Sequence, residues 1–507
     1  LLNVLTRYIT NKNLECLSGN PAKHTALVFL IVTIFHLPLL SQEKVGLTTS
    51  NYGGIYSAQL NPAATSNSKI YFDFNLFGAD IFLENNFLYI HKEDYRLMDF
   101  LSLSPKLPVS GEPGQGLDYT ASGDAVNAFE QVEVMGPSLS YSLGKHSVGL
   151  FSKALAVTSV EDLPRDIAIL MYEGLEFDSL YGIDQHHGAF DFSTMGWWEI
   201  GGHYSYIFKE KRHNVFSAGI NVSVLFGYAG TSAHARDMDY TLVDESILDI
   251  RNLDADIGFA APIDFDDNQY PDDGAMFKGK GIGVDLGIMY LRKKELPTRS
   301  KPQKYCAYEH EDYFFKLGFS ILDMGKINFK ENAQQHSYEN VSAYWERVDT
   351  VGFGSINELT AGFSTVFYGD PTASLQENSF GLNLPTTLSL QADYQYFPNW
   401  YLNTLLVVPL KLTDNQLRKP SQAILSLRYE TPQLEVNLPV SLYDFKKPRI
   451  GLFVRFYYFS VGTENLGGLF SFQDFTGLDL YFSVKLHIAK GRCATYRPSS
   501  DCRHLEF

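Results

Sequence analysis

The sequence predicts an all-β fold: a transmembrane antiparallel β-barrel of about fourteen strands, with long, partly helical outer loops. Three observations predict it. The first is a two-residue alternation that returns along most of the chain. Phe216, Ala218, Ile220, Val222, Val224 and Phe226 share one face of 215–226, and Ser217, Gly219, Asn221 and Ser223 share the other. Side chains alternate across a strand, so each such segment has one oily face and one polar or small one. The second is aromatic content: 14% of the 507 residues, with 31 Tyr and 37 Phe. Clusters such as Trp197–Trp198, Tyr206 with Phe208, Trp400–Tyr401 and Tyr457 to Phe459 suit the interfacial girdles of a barrel. The third is a mean hydropathy of only −0.13, with no apolar run of membrane-helix length in the body. A barrel has this balance because every other residue faces the lumen.

The elements follow in order. Lys23 and His24 precede an apolar run from Thr25 to Leu40, then Ser41 and Gln42. Residues 1–41 therefore read as a secretory leader cleaved after Ser41. Residues 42–68 carry no alternation and are expected to be an N-terminal segment able to plug the lumen. The barrel itself is assigned to 69–490. Its expected strands are 69–90, 131–143, 146–157, 196–208, 214–228, 277–291, 311–321, 386–397, 400–411, 421–430, 433–441, 448–459 and 476–489. The first changes phase between Leu76 and Phe77, which predicts a bulge. With both termini on the periplasmic side the strand number is even. One strand is therefore still to be placed, in 359–368 or 460–472.

Tight connections such as Gly144–Lys145 alternate with long ones at 91–130, 158–195, 229–276 and 322–385, as periplasmic turns and outer loops do. Within these loops Asp162, Pro164 and Gly174 frame a short helix, and 356–363 is a weaker helix candidate. Residues 491–507 form a polar tail.

The formal net charge is −17. This argues against nucleic-acid binding, which needs a basic footprint. Of the four cysteines, Cys493 and Cys502 could close a small loop in an oxidising compartment or stay as free thiols. Gly274, Gly279 and Lys280 make a near phosphate-binding loop, but Gly281 replaces the Ser or Thr and a strand follows. Gly281, Gly283 and Gly287 read instead as small lumen-facing residues where an inner plug or a neighbouring chain approaches. Asp264, Asp266 and Asn268 are weak calcium candidates that depart from the EF-hand pattern at Gln269 and Ala275. His186, His187 and Asp184 lack a second ligand pair at metal spacing. No nucleophile–base set stands out, so no catalytic residue and no cofactor is assigned, and the chain is read as a non-enzyme.

The inward faces carry Asp73, Asp285, Asp393, Glu435 and Asp479 against Lys316, Arg428, Arg455 and Lys485. Such charges tune permeation, pin a plug, or pair across strands and fill the lumen.

Gly53-Gly54-Ile55-Tyr56-Ser57-Ala58-Gln59-Leu60-Asn61-Pro62-Ala63 runs directly into the first strand. It resembles the Asn-Pro-Ala entry segment of FadL/PorV-like outer-membrane barrels. Residues 279–290, 313–329 (with Asp323-Met324-Gly325), 384–396 and 477–488 resemble a large family of Bacteroidota outer-membrane barrels more specifically. The resemblance spans most of 45–490. It implies a Gram-negative, Bacteroidota-type outer-membrane location and about fourteen strands, with lipid around the barrel. It also implies that Asn61, Pro62 and Ala63 form a gate or plug. Two functions follow. One is FadL-like passage or binding of a hydrophobic or small solute. The other is a non-transporting scaffold whose loops bind partners, such as a secretion-system protein of the type IX route.

Overall fold

The computed structural model describes residues 43–92, 117–294, 309–310, 313–350, 353–470 and 474–492. The leader, all four cysteines and the tail beyond Arg492 lie outside them. Fourteen antiparallel strands, each paired with its sequence neighbours, close into a barrel. They are β1 Ile70–Asn85, β2 Val126–Met135 continued by Ser138–Leu143, β3 His146–Leu163, β4 Phe190–Lys211, β5 Asn214–Asp244, β6 Gly279–Lys293 and β7 Tyr313–Phe329. The circuit continues through β8 Thr387–Phe397, β9 Trp400–Pro409, β10 Gln422–Glu430, β11 Leu434–Tyr443, β12 Lys447–Ile450 with Leu452–Phe456, β13 Phe459–Thr463 and β14 Gly477–Ala489. Closure comes from β1 on β14, from Phe72 opposite Ile488 to Glu84 opposite Gly477. The expected bulge is there: the register slips between Asn75 and Phe77, so both Leu76 and Phe77 face outward.

The barrel is built inside out relative to a soluble protein. On β5, Val222 and Val224 are 47% and 49% exposed, while Ser217, Asn221 and Ser223 are buried. The oily outer face is what lipid tails cover, and closure leaves no unpaired strand edge in the hydrocarbon.

Of the two places expected for the missing strand, 460–472 holds it: β13, Phe459–Thr463, follows a tight turn at Tyr457–Tyr458. The expected strand 448–459 ends at Phe456, before that turn. Residues 359–368 are helix, within Ile356–Tyr368. The girdle reading needs a similar correction. Trp198 and Trp400 face lipid, but Trp197 and Tyr401 turn into the lumen and are buried. Away from a bulge, adjacent residues on one strand face opposite sides.

The expected loop 229–276 is largely strand. β5 runs beyond the barrel and pairs with Ile247–Ala260, which pairs in turn with Ala333–Glu346. Asp184–His187 and Leu375–Glu377 add to this outer sheet. Two helices pack among these strands. α3 is Arg165–Glu173, capped by Gly174 at φ 89°. It starts after Pro164, not at Asp162, which sits in the left-handed region at the end of β3. α4, Ile356–Tyr368, starts at Ser355, whose hydroxyl accepts from Glu358 N, and ends at Gly369.

Candidate functional site

The barrel interior is occupied by residues 43–69. Helix α1 Val45–Thr48, helix α2 Ile55–Leu60 and the 3₁₀ turn Pro62–Asn67 lie there in sequence, almost wholly buried. Both helices are too short to stand alone. The wall supplies what they lack. Asp73 of β1 accepts Ile55 N at 2.9 Å and so caps the second helix. Asn61 caps the 3₁₀ turn through Ala63 N at 2.9 Å, with Pro62 at its first position. Carbonyls that find no helical partner are met from the wall: Ala58 O by Asn221 Nδ2 (2.9 Å), Leu60 O by Ser320 Oγ (2.7 Å), and Ala63 O by Ser205 and Ser217. Asn61 Nδ2 reaches Gln391 Oε1 at 3.0 Å and Ile288 O at 3.2 Å. Thr65 Oγ1 meets His203 Nε2 at 2.6 Å. Apolar contacts complete the fit: Leu47, Ile55, Tyr56 and Ala58 against Met135, Phe151, Phe453 and Tyr481.

Of the three glycines singled out on β6, Gly287 meets the segment. A Cβ there would lie 2.2 Å from Asn61 Oδ1 and 2.9 Å from Pro62 Cδ. Gly281 and Gly283 are close instead to the neighbouring strands, at Lys326 O and Ser223 Oγ. Gly219 on β5 is equally critical, since its Cβ would lie 2.3 Å from the Pro62 carbonyl carbon.

The predicted lumen charges form the floor near the short turns. Arg428 donates to Asp393 Oδ2 at 2.7 Å and to Thr49 O at 2.8 Å, and lies 3.1 Å from Glu430. Glu430 also holds Lys69 (2.9 Å) and Asn51 Nδ2 (3.0 Å). Lys316 pairs with Asp393 at 3.6 Å and donates to Asn51 Oδ1. Arg455 pairs with Glu435 (3.2 Å), which also accepts from Ser50 Oγ at 2.6 Å. Lys485 donates to the Tyr52 and Gly53 carbonyls and lies 3.7 Å from Asp73. Asp285 sits higher, accepting from Asn221 Nδ2 and from Asp323 N. All of these charges except Asp285, whose two donors are neutral wall groups, are tied to the segment or to an opposite charge. Sequence reasoning missed Lys69 and Glu430, because a strand-end residue gives no sign of what faces it across the lumen.

Above the segment the lumen changes character. Inward residues of the outer half form an apolar collar: Phe82, Phe129, Val157, Trp197, Leu225 and Phe329 among them. Beneath it lies a cavity floored by Lys44, Glu133, Lys153 and Lys419 and by Gln59 of the segment. Its lining joins Phe82, Phe129, Leu155, Val157 and Trp197 to lysines, carboxylates and amides, and small-molecule sites combine apolar surface with such orienting polar groups.

The calcium candidates do other work. Asn268 accepts Ile356 N and donates to Gly354 O, Asp266 accepts Asn357 Nδ2, and Asp264 accepts Asp266 N. They tie their loop to the start of α4. Among the described residues no group of three or more His, Cys, Asp or Glu is placed to hold a metal. His187 pairs with Asp166 of α3 and His186 with Asp239 of β5, so the two histidines point to different partners.

The model of a family described as "Family of unknown function (DUF5723)" matches residues 62–464. No curated protein matches the chain. Solved structures similar to it include a deltaS2S3 mutant of the monoaromatic hydrocarbon channel TodX, a protein of Pseudomonas putida, at 11% identity. That match covers 86% of this chain and 94% of the other, with a TM-score of 0.38. The toluene transporter TbuX of Ralstonia pickettii is similar at 8% identity, covering 89% and 99%, TM-score 0.37. A FadL homologue of Pseudomonas aeruginosa is similar at 12%, covering 89% and 98%, TM-score 0.29.

Proposed function

The chain belongs to DUF5723, a family of unknown function, and we propose that it binds or passes a hydrophobic or small solute in the outer membrane of a Bacteroidota-type bacterium. The observation that carries this reading is the apolar collar inside the outer half of the lumen. A water-filled pore needs a polar interior throughout. A collar of inward Phe, Leu and Trp above a polar floor suits a guest that sheds water on entry. In this reading residues 43–69, with Asn61-Pro62-Ala63 at the wall glycines, act as the gate. Hydrogen bonds from Ser320 and Asn221, and from Asn61 to Gln391, hold it shut.

Planar-bilayer conductance of the mature chain, with and without residues 45–63, tests the gate. The expected result is a silent intact protein and steady conductance after deletion. Steady conductance of the intact protein overturns the gate. Silence in both, with insertion verified, favours the second reading, a scaffold whose outer loops bind a partner such as a secretion-system protein. One observation favours that second reading: the outer sheet on β5 is far larger than a loop needs to be.

A further inference from the structure

Three polar atoms at the upper cavity stand without a hydrogen-bond partner from the protein. Gln59 is on the inner segment and Trp197 on β4, and both line this cavity. Both amide atoms of Gln59 and the indole nitrogen of Trp197 are buried and find no partner within the protein. Trp197 is 4% exposed. Buried polar groups are nearly always hydrogen-bonded, so a set of three at one cavity marks a place where something else supplies the bonds. The charges around them are already committed. Lys44 is held by Glu133 (2.7 Å) and Asp80 (3.0 Å), Lys153 by Glu199 (3.3 Å) and Lys419 by Asp323 (2.9 Å). No lysine of this floor is left to balance an incoming carboxylate, since Lys419 also faces Glu43 at 3.9 Å.

We propose that this cavity binds an amphipathic molecule with an uncharged polar head, its apolar body against Phe82, Phe129, Leu155 and Val157 and its head on Gln59 and Trp197. The head both donates and accepts: it takes the Gln59 amide N–H and the Trp197 indole N–H, and gives a hydrogen to the Gln59 oxygen. A primary amide or an alcohol does this. A carboxylate has no hydrogen to give the Gln59 oxygen, and it would lie beside Glu43 and Glu133 with every nearby lysine taken. This inference rests on the hydrophobic-solute reading and names the class of solute.

The test is equilibrium dialysis of the full mature chain, held in amphipol, against radiolabelled octanamide, octanoate and octane. Octanamide is expected to bind at least about tenfold more tightly than octanoate, since a hydrogen-bonding site discriminates when a buried partner is left unpaired. Trp197→Phe, which removes only the N–H donor from a bulky apolar ring, and Gln59→Ala should each weaken octanamide about two- to tenfold. Octane should change less than about twofold in both. Octanoate binding as tightly as octanamide overturns the uncharged head. Octanamide unchanged in both variants overturns its placement and leaves those atoms to water. Binding of none of the three probes overturns the hydrophobic-solute reading itself.

Discussion

Gly219 and Gly287 show how single residues decide whether the lumen is filled. Each leaves the space that Pro62 or Asn61 occupies. The Gly219→Val variant drives a side chain into the Pro62 carbonyl, and overpacking of this kind costs about 1–3 kcal/mol. The strand itself tolerates valine, so the segment is what yields. The expected outcome is a folded barrel in which the 43–69 segment becomes cleavable by added protease and conductance rises. A protected segment with unchanged conductance would show that the wall, not the segment, gives way. The floor gives a second residue-scale prediction. Arg428 is fully buried among Asp393, Glu430 and the Thr49 carbonyl. Arg428→Met leaves two carboxylates short of their cation, and breaking such a buried set costs about 3–5 kcal/mol. A denaturant midpoint well below that of the parent chain is expected.

At the scale of elements, the strands and the outer sheet respond to different conditions. Val222 lies on the lipid face of β5. Val222→Arg is expected to cost about 2–4 kcal/mol if the residue lies at the bilayer midplane, read as a loss of folded yield in vesicles. The charge has no lumen to turn into, because its neighbours Asn221 and Ser223 already fill that side. The outer sheet holds a pH-sensitive residue instead. His336 stacks on Phe259 with ring centroids 5.9 Å apart and meets Ser374 Oγ at 2.9 Å. Burial lowers its pKa from the ordinary 6.5. A depressed imidazole is neutral when folded and protonates more readily when the sheet opens. Its stabilising share is therefore complete above pH 6.5 and is lost as pH falls from there toward the lower folded value. Amide exchange in Ala333–Glu346, corrected for its intrinsic pH dependence, should rise between pH 7 and pH 5.5. His336→Gln should remove that rise. An equal rise in the variant would assign it to the surrounding carboxylates.

For the whole molecule, the barrel and its filling are separable in principle but not in stability. Wall strands pair with one another all the way round, so closure does not depend on residues 43–69. Those residues nonetheless satisfy wall side chains from β1, β4, β5, β7, β8, β10, β11 and β14. Deleting 43–69 is expected to leave strand content by circular dichroism unchanged while lowering the unfolding midpoint, since Arg428, Glu430 and Asp73 lose partners at once. Loss of strand content on deletion would make the segment part of the folding unit rather than a gate.

The sequence by itself determined the barrel. Alternation is a local property of each strand, and lipid outside demands that it be repeated in every one, so Val222 and Ser223 declare their faces without any knowledge of their neighbours. The bulge at Leu76 was legible for the same reason, as a break in period. Strand β13 was legible only through parity, which left 460–472 as one of two places for it: five residues, Phe459–Thr463, are too few to show a period beside the aromatic turn before them. The outer sheet was hidden because its register shifts interrupt the alternation of its few buried apolar residues, such as Tyr240, Leu242, Ile250 and Val341. The tertiary structure alone decided what fills the lumen. That Asn61 meets Gln391, that Glu430 gathers Lys69 and Asn51, and that Gln59 and Trp197 share a cavity all join residues more than a hundred positions apart. Such pairings are set by the barrel's circumference and stagger, which no local pattern records.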